Sequence, residues 1–217
     1  MFTHLVGQDT RHLNSQLSQG GFRRSQNIAY RPACDHCHAC SSVRVPVKTF
    51  DWSKSFRRVV KRNRDVEATV IKARATSEHY SMFRGYIDTR HSDGGMANMS
   101  VLDFAAMVDD TTADSRLVEY RFGPAHGQAG ELICAVLMDL LDDGISLIYS
   151  FYEPSYNYRS LGTLVVLDAI LRAERLGLPY VYLGYFVRGS NKMEYKGRFM
   201  PQERLAAEGW ILHQSST

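Results

Sequence analysis

The sequence has no apolar run of the roughly 18 residues that a membrane helix needs. Its most apolar stretches, 132–141 and 145–152, are broken by Asp142, Asp143 and Gly144. The first residues, MFTHLVGQDTRH, lack the basic-then-apolar pattern of a secretory signal. No internal repeat is found. With 16 Gly and 6 Pro in 217 residues, the composition excludes collagen-like and low-complexity classes. Cysteine is scarce as well, and three of the 4 crowd into one short segment, which is no disulfide framework. These absences leave a soluble, cytoplasmic protein without a membrane partner as the expectation.

What is present suits a folded chain. Hydrophobic residues make up 44% and charged residues 23%, so one large domain or two small ones can bury a core without staples. The net charge of +3 hides an asymmetry. Residues 1–72 hold 13 Lys/Arg against 5 Asp/Glu, and residues 73–217 hold 13 against 18. The basic half points to a polyanion, or else to a solvated basic helix.

Cys34, Cys37 and Cys40 form C-D-H-C-H-A-C, with His36 and His38 between them. C-x2-C spacing lets two thiolates reach one soft metal, Zn or an Fe–S cluster. The third cysteine fits a cluster loop better than a paired zinc knuckle. A fourth ligand must come from His36, His38 or elsewhere. The alternative is a turn of free thiols packed beneath a strand. Cys134 lies in GELICAVLMD and reads as a small buried hydrophobe.

Asp9 or Thr10 caps a short helix that stops at Gly20-Gly21, and Ile28–Tyr30 is extended. Val43, Val45 and Val47 alternate on a half-buried strand, which Pro46 places near a sheet edge or a bulge. Residues 53–64 form an amphipathic helix. One stripe holds Phe56, Val59, Val60 and Asn63, and its cations are Lys54, Arg57, Arg58, Lys61, Arg62 and Arg64. A strand at VEATVIKAR and helices opening at Ser77 and Ser100 follow. Strands are expected at 116–122, 131–138 and 145–152, then a helix at 160–176, then the strand YVYLGYF. Residues 188–204 read as loop, and 210–212 as a short apolar piece. The pattern predicts an α+β fold with a mixed sheet and flanking helices. Residues 1–72 form a smaller basic, cysteine-containing subdomain, and residues 73–217 the catalytic domain.

The most informative window is SFYEPSYNYRSLGTLVVLDAI. A strand ends at Tyr152, and Arg159-Ser160-Leu161-Gly162 leads into the helix. Backbone N–H groups at a helix start attract anions, and glycine permits close approach. This arrangement resembles the R-x-x-G phosphate loop of the GNAT acyltransferases, which implies a GNAT-like sheet. Leu164 stands where that family has a small residue, which argues against coenzyme A. Tyr149, Phe151, Tyr152, Tyr156 and Tyr158 flank the turn, and Tyr180, Tyr182, Tyr185 and Phe186 line the next strand. Exposed, such rings stack bases or wall an aminoacyl pocket; buried, they are core. Lys192, Tyr195, Lys196 and Arg198 bring cations beside rings, as a polyphosphate backbone requires.

Longer segments carry a more specific resemblance. FRRSQNIAYRPACDHCHACSSVRVPV is similar to the N-terminal signature of the aminoacyl-tRNA–protein transferases. SFYEPSYNYRSLGTLVVLDAI and YVYLGYFVRGSNKMEYKGRFMP are similar to their catalytic domain. The resemblance spans about residues 2–212 and is closest in type to the bacterial aspartate/glutamate leucyltransferases. It implies transfer of an amino acid from charged tRNA to a protein beginning with Asp or Glu, which marks that protein for N-degron degradation. Cys34, Cys37 and Cys40 match family cysteines. Family members usually begin with a further segment bearing a Cys-Pro-Tyr-type element. Here the chain opens at Met1-Phe2-Thr3-His4, so either a truncation or a late start codon is expected, and the resemblance makes the missing cysteine a candidate fourth ligand.

The implied reaction is aminolysis of an activated ester, for which no cofactor is required. An α-amine with a pKa near 8 is partly neutral at pH 7, so positioning supplies much of the rate. Arg159, Tyr185, Lys192 and Lys196 are the catalytic candidates. Arg159, Lys192, Lys196 and Arg198 are candidate cations for the acceptor's carboxylate. Backbone N–H groups near Leu183–Gly184 can hold the oxyanion. Glu153 is a candidate proton acceptor or a turn cap. Arg57, Arg58, Lys61 and Arg62 face the tRNA. Tyr152, Tyr158, Ser160, Gly162, Tyr182, Gly184, Tyr195 and Arg198 complete the substrate set. Leucine is expected as donor. The alternatives are arginine with the same acceptors, a coenzyme A-dependent acyltransferase, and a non-enzymatic RNA-binding or metal-sensing module.

Overall fold

The computed structural model describes residues 1–37, 39–190 and 192–214. In chain order its strands are β1 (Phe2–His4), β2 (Arg23–Ser25), β3 (Ile28–Tyr30), β4 (Cys40–Pro46), β5 (Val66–Lys72), β6 (Ser115–Phe122), β7 (Leu132–Leu140), β8 (Gly144–Tyr152), β9 (Tyr180–Val187), β10 (Gln202–Ala206) and β11 (Gly209–His213). The helices are α1 (Thr10–Gln19), α2 (Lys54–Arg62), α3 (Ser77–Arg90), α4 (Val101–Asp109) and α5 (Leu161–Arg175). None of the described helices is long and apolar enough to cross a membrane.

Eight strands form one mixed sheet in the order β11-β10-β4-β9-β8-β7-β6-β5. Every neighbouring pair is antiparallel except β8 and β9. A parallel pair needs a crossover, and α5 supplies it. Leu161, Val165, Val166, Ala169, Ile170 and Ala173 of α5 are buried in the core, and Gly177 ends the crossover at φ 68°.

Strand alternation decides which face each helix covers. On β6, Ser115 and Glu119 share one face with α3, whose His79 ring lies 2.8 Å from Glu119. Phe83 of α3 and Phe104 of α4 pack there against Phe151. Thr76 caps α3, and a Ser100–Asp103 capping box starts α4. Tyr120 points to the opposite face and donates to Asp168 of α5 at 2.8 Å.

A small sheet of order β1-β3-β2 stands apart. Arg24 of β2 ties it down. Its guanidinium meets Asp139 of β7 at 2.5 and 2.7 Å, and Asn14 and Ser115 complete the carboxylate's shell. Arg24 and Asp139 are 4% and 0% exposed, so each charge depends on the other.

Three expectations change. The division at residue 72 is not a spatial one, because β4 lies inside the large sheet and β5 forms its edge. Of the edge and the bulge that Pro46 allowed, β4 loses the edge and keeps the bulge, where its register with β9 shifts between Val43 and Arg44. It pairs with β9 and β10, and Pro46 is its closing residue, where a missing N–H costs the ladder least. Residues 202–206 and 209–213 are a hairpin rather than loop and apolar fragment. Long-range charge holds it: Glu203 accepts from Arg44 at 2.6 Å, and that guanidinium lies over Tyr180 and Trp210.

Candidate active site

β8 and β9 pair only over Gly144–Ser146 and Tyr180–Tyr182. Each then carries a bulge. Ile148 has no partner on β7, where Leu137 faces Tyr149 and Met138 faces Leu147. Leu183 has none on β4, where Val43 faces Gly184 and Arg44 faces Tyr182. Bulges bend a strand and leave the extra residue outside the ladder. The two strands part beyond the bulges, and a cleft of about 200 Å³ opens between them.

Ile148, Tyr149 and Ser150 form one wall and Leu183 the other, with Gly162, Val165 and Val166 of α5 alongside. A methyl group on Gly162 would meet nothing nearer than the Tyr152 ring, at 3.8 Å. That glycine therefore keeps the wall open rather than relieving a clash. Gly184 is different. It sits at φ 75°, and a methyl there would fall 2.6 Å from the Arg23 guanidinium.

The cleft has four groups able to carry positive charge, Arg23, His91, Lys192 and Lys196, and no Asp or Glu among its lining residues. Arg23 donates to the Ile148 carbonyl at 2.8 Å. Lys196 is buried, and its ammonium donates to the Tyr185 carbonyl at 2.6 Å. Burial, reinforced by Arg23, pushes Lys196 down to about 7. Lys192 meets Asp93 at 3.2 Å on the rim. Burial and the charges of Lys192 and Arg90 hold His91 below the usual histidine range, and its ring lies 3.3 Å from the Tyr86 hydroxyl.

Lys192, Lys196, Tyr195 and Gly162 thus meet at the cleft, Gly184 lies behind Arg23, and Tyr152 packs between Gly162 and Tyr86. Other candidates lie elsewhere. Arg159 gives its terminal nitrogens to Asp65 at 2.8 and 2.9 Å, so its charge is already matched. Ser160 takes a left-handed conformation at the turn and makes no side-chain cap. Tyr185 turns its hydroxyl to the carbonyls of Gly21 and Tyr30, and burial raises it to about 12. Tyr182 donates to Asp143 and accepts from Arg44, at the paired end of β9. Tyr158 is exposed, and Arg198 lies over Phe56. Glu153 caps the 3-10 turn Pro154–Arg159 by accepting from the Ser155 N–H.

On α2, Arg57 bonds the Trp52 carbonyl and Arg62 the Tyr158 carbonyl. Arg58, Lys61 and Arg64 surround an open surface with Arg62 and Asp65. Cys34, Cys37 and Cys40 are exposed, not packed beneath a strand. They line a cavity of about 790 Å³ with Arg31, Ser42 and Tyr185. Among the described residues no three His, Cys, Asp or Glu side chains converge to hold a metal, and His38 lies outside those residues. Cys134 is buried, and burial raises its thiol.

Sequence reasoning missed Arg23, His91 and Tyr86. A signal for the first existed: in a strand, adjacent Arg23 and Arg24 must point to opposite faces, so two different anchors were implied.

A mixed sheet whose central parallel strands splay beside a crossover helix is a GNAT-like architecture. Two solved structures share the fold. L-PGS from Bacillus licheniformis matches with TM-score 0.51 at 11% identity, over 71% of this chain and 49% of that one. FemX matches with TM-score 0.52 at 10% identity, over 81% and 60%. The chain also matches the models "Arginine-tRNA-protein transferase, N terminus" over residues 1–58 and "Arginine-tRNA-protein transferase, C terminus" over residues 78–206. It belongs to the arginine-tRNA-protein transferase family. Similar relatives include the aspartate/glutamate leucyltransferases of Nitrobacter hamburgensis and Afipia carboxidovorans. Each is 56% identical, over 97% of this chain and 83% and 84% of theirs. That of Rhodopseudomonas palustris is 55% identical over 97% and 83%.

Proposed function

We propose that the chain moves leucine from leucyl-tRNA to the α-amine of proteins whose first residue is Asp or Glu, in the cytoplasm. The observation that carries this reading is the cleft between β8 and β9. It has apolar walls in Val136, Leu147, Val165, Val166 and Leu183, cations on its floor, and no carboxylate among its described lining residues. Apolar walls suit a leucyl side chain, whereas an arginyl donor would call for an acid. The relatives' names support the same donor and acceptors.

The acceptor amine attacks the ester carbonyl, a C–N bond forms, and the tetrahedral oxyanion collapses. The C–O bond to the terminal ribose breaks, and the amine's proton leaves with the ribose hydroxyl. Backbone N–H groups at the bulges of Ile148 and Leu183 are suited to the oxyanion. Arg58, Lys61 and Arg64 offer phosphate contacts for the tRNA. Coenzyme A gains no support, because Arg159 is occupied by Asp65.

Purified protein offered radiolabelled Leu-tRNA or Arg-tRNA, with peptides beginning Asp, Glu, Lys or Arg, tests this reading. Leucine is expected on the Asp and Glu peptides alone. Transfer of arginine, or of neither amino acid, would refute it.

A further inference from the structure

Arg23 and Lys196 are two cations on the floor of one cleft, and neither is ion-paired among the described residues. Their only hydrogen bonds there are to backbone carbonyls, of Ile148 and Tyr185, through Arg23 Nη2 and Lys196 Nζ. Arg23 Nε and Nη1 make none among the described residues. Elsewhere the fold matches its buried guanidinium groups with acids: Arg24 with Asp139, Arg44 with Glu203, Arg159 with Asp65. Holding the buried Lys196 ammonium beside the half-buried Arg23 guanidinium without an anion is costly, and the cost shows in the lowered basicity of Lys196. Such a floor is built to receive an anion.

Size and position select which anion. About 200 Å³ accommodates a group of side-chain size. Arg23 spans the two bulges, from the Ile148 carbonyl to the bare backbone of Gly184. A leucyl ester brings no anion to that point. An acceptor peptide brings one.

We infer that Arg23, supported by Lys196, binds the side-chain carboxylate of the acceptor's first residue and thereby selects Asp and Glu. The inference rests on the leucyl-transfer reading above. The guanidinium offers a planar fork to the carboxylate, and the acceptor's amine is left beside the bulges. A carboxylate also restores the proton to Lys196, so the two cations bind it together.

The test compares peptides beginning with Asp and with Asn, which differ in charge and little in shape. Wild type, Arg23→Gln and Arg23→Lys are assayed with saturating Leu-tRNA, and the KM for Leu-tRNA is measured separately. Wild type is expected to favour Asp by about 100-fold or more in kcat/KM. In Arg23→Gln that preference collapses to below about fivefold, chiefly through the peptide's KM, and the KM for Leu-tRNA is unchanged. Arg23→Lys regains part of the preference. A preserved Asp preference in Arg23→Gln overturns the inference. So does a raised KM for Leu-tRNA with the preference intact, which would mean a phosphate contact. Equal loss on both peptides also overturns it, as a structural role. Should Arg23→Gln not fold, an unchanged preference in Arg23→Lys overturns it instead. If wild type transfers to neither peptide, the leucyl-transfer reading falls, and the inference with it.

Discussion

Arg159 Nη1 and Nη2 meet the two carboxylate oxygens of Asp65 at 2.8 and 2.9 Å, joining the turn after β8 to the residue that leads into β5. Burial keeps Arg159 from water, and its Nε has no partner. The Arg159 guanidinium holds Asp65 below the usual carboxylate range. Asp65→Asn is expected to cost about 2 kcal/mol in urea denaturation, because a buried guanidinium loses its counter-charge. A depressed carboxylate stabilises above its unfolded pKa, and that stability is lost as pH falls through the folded value. The acid-side slope below about pH 4 should therefore flatten in the variant. An unchanged slope would show that the pair carries little energy.

Gly162→Ala separates fold from function. The added methyl meets only the Tyr152 ring at ordinary contact distance, and alanine is the better helix residue. Stability is expected to hold or rise by up to about 1 kcal/mol. Transfer is expected to fall at least about tenfold, because the methyl occupies the cleft wall. Full activity would remove that wall from the site.

Salt tests the basic face. Affinity for leucyl-tRNA should fall linearly with log salt, and each of Arg58→Ala and Lys61→Ala should reduce the slope by about 1. Arg57 and Arg62 spend hydrogen bonds on the Trp52 and Tyr158 carbonyls, so Arg57→Ala is expected to reduce it less. Titration at 50 to 200 mM salt decides the matter; equal slopes in all variants would place the tRNA elsewhere.

Lys196 makes stability depend on pH in the free protein. Its value falls from 10.5 to about 7 on folding. Below pH 7 both states carry the charge and the penalty is complete. Between about 7 and 10.5 only the unfolded chain keeps the proton, so unfolding free energy rises with pH across that window. Arg23, Lys192, His91, Tyr86, Tyr149 and Tyr195 face the same cleft. Lys196→Met should flatten the rise, as measured by denaturation at pH 7, 8 and 9. A rise that persists would assign it to those neighbours.

Much of the architecture was legible in local pattern. α5, the strands on either side of it, and the apolar stripe of α2 follow from periodicity, and the Ser100–Asp103 box from capping chemistry. The hairpin of β10 and β11 was not, because Gln202, Glu203 and Arg204 carry no apolar alternation; the hairpin docks through Arg44. The cleft was half legible. Lys192, Lys196, Tyr195 and Gly162 stood out as cations and glycine beside rings, but Arg23 belongs to a segment far away in the chain.

The sequence by itself determined the family, through long signatures on both sides of the chain, and the fold class, through hydrophobic period. It also located the basic face and the glycine turn. Only the tertiary structure decided which cations are free to act. Arg159 and Arg23 look alike as letters. One is matched by Asp65, 94 residues away, and the other, among the described residues, hydrogen-bonds only backbone where two bulged strands part. A charge's role depends on what lies within a few ångströms of it, and partners that distant in the chain are brought there only by the fold.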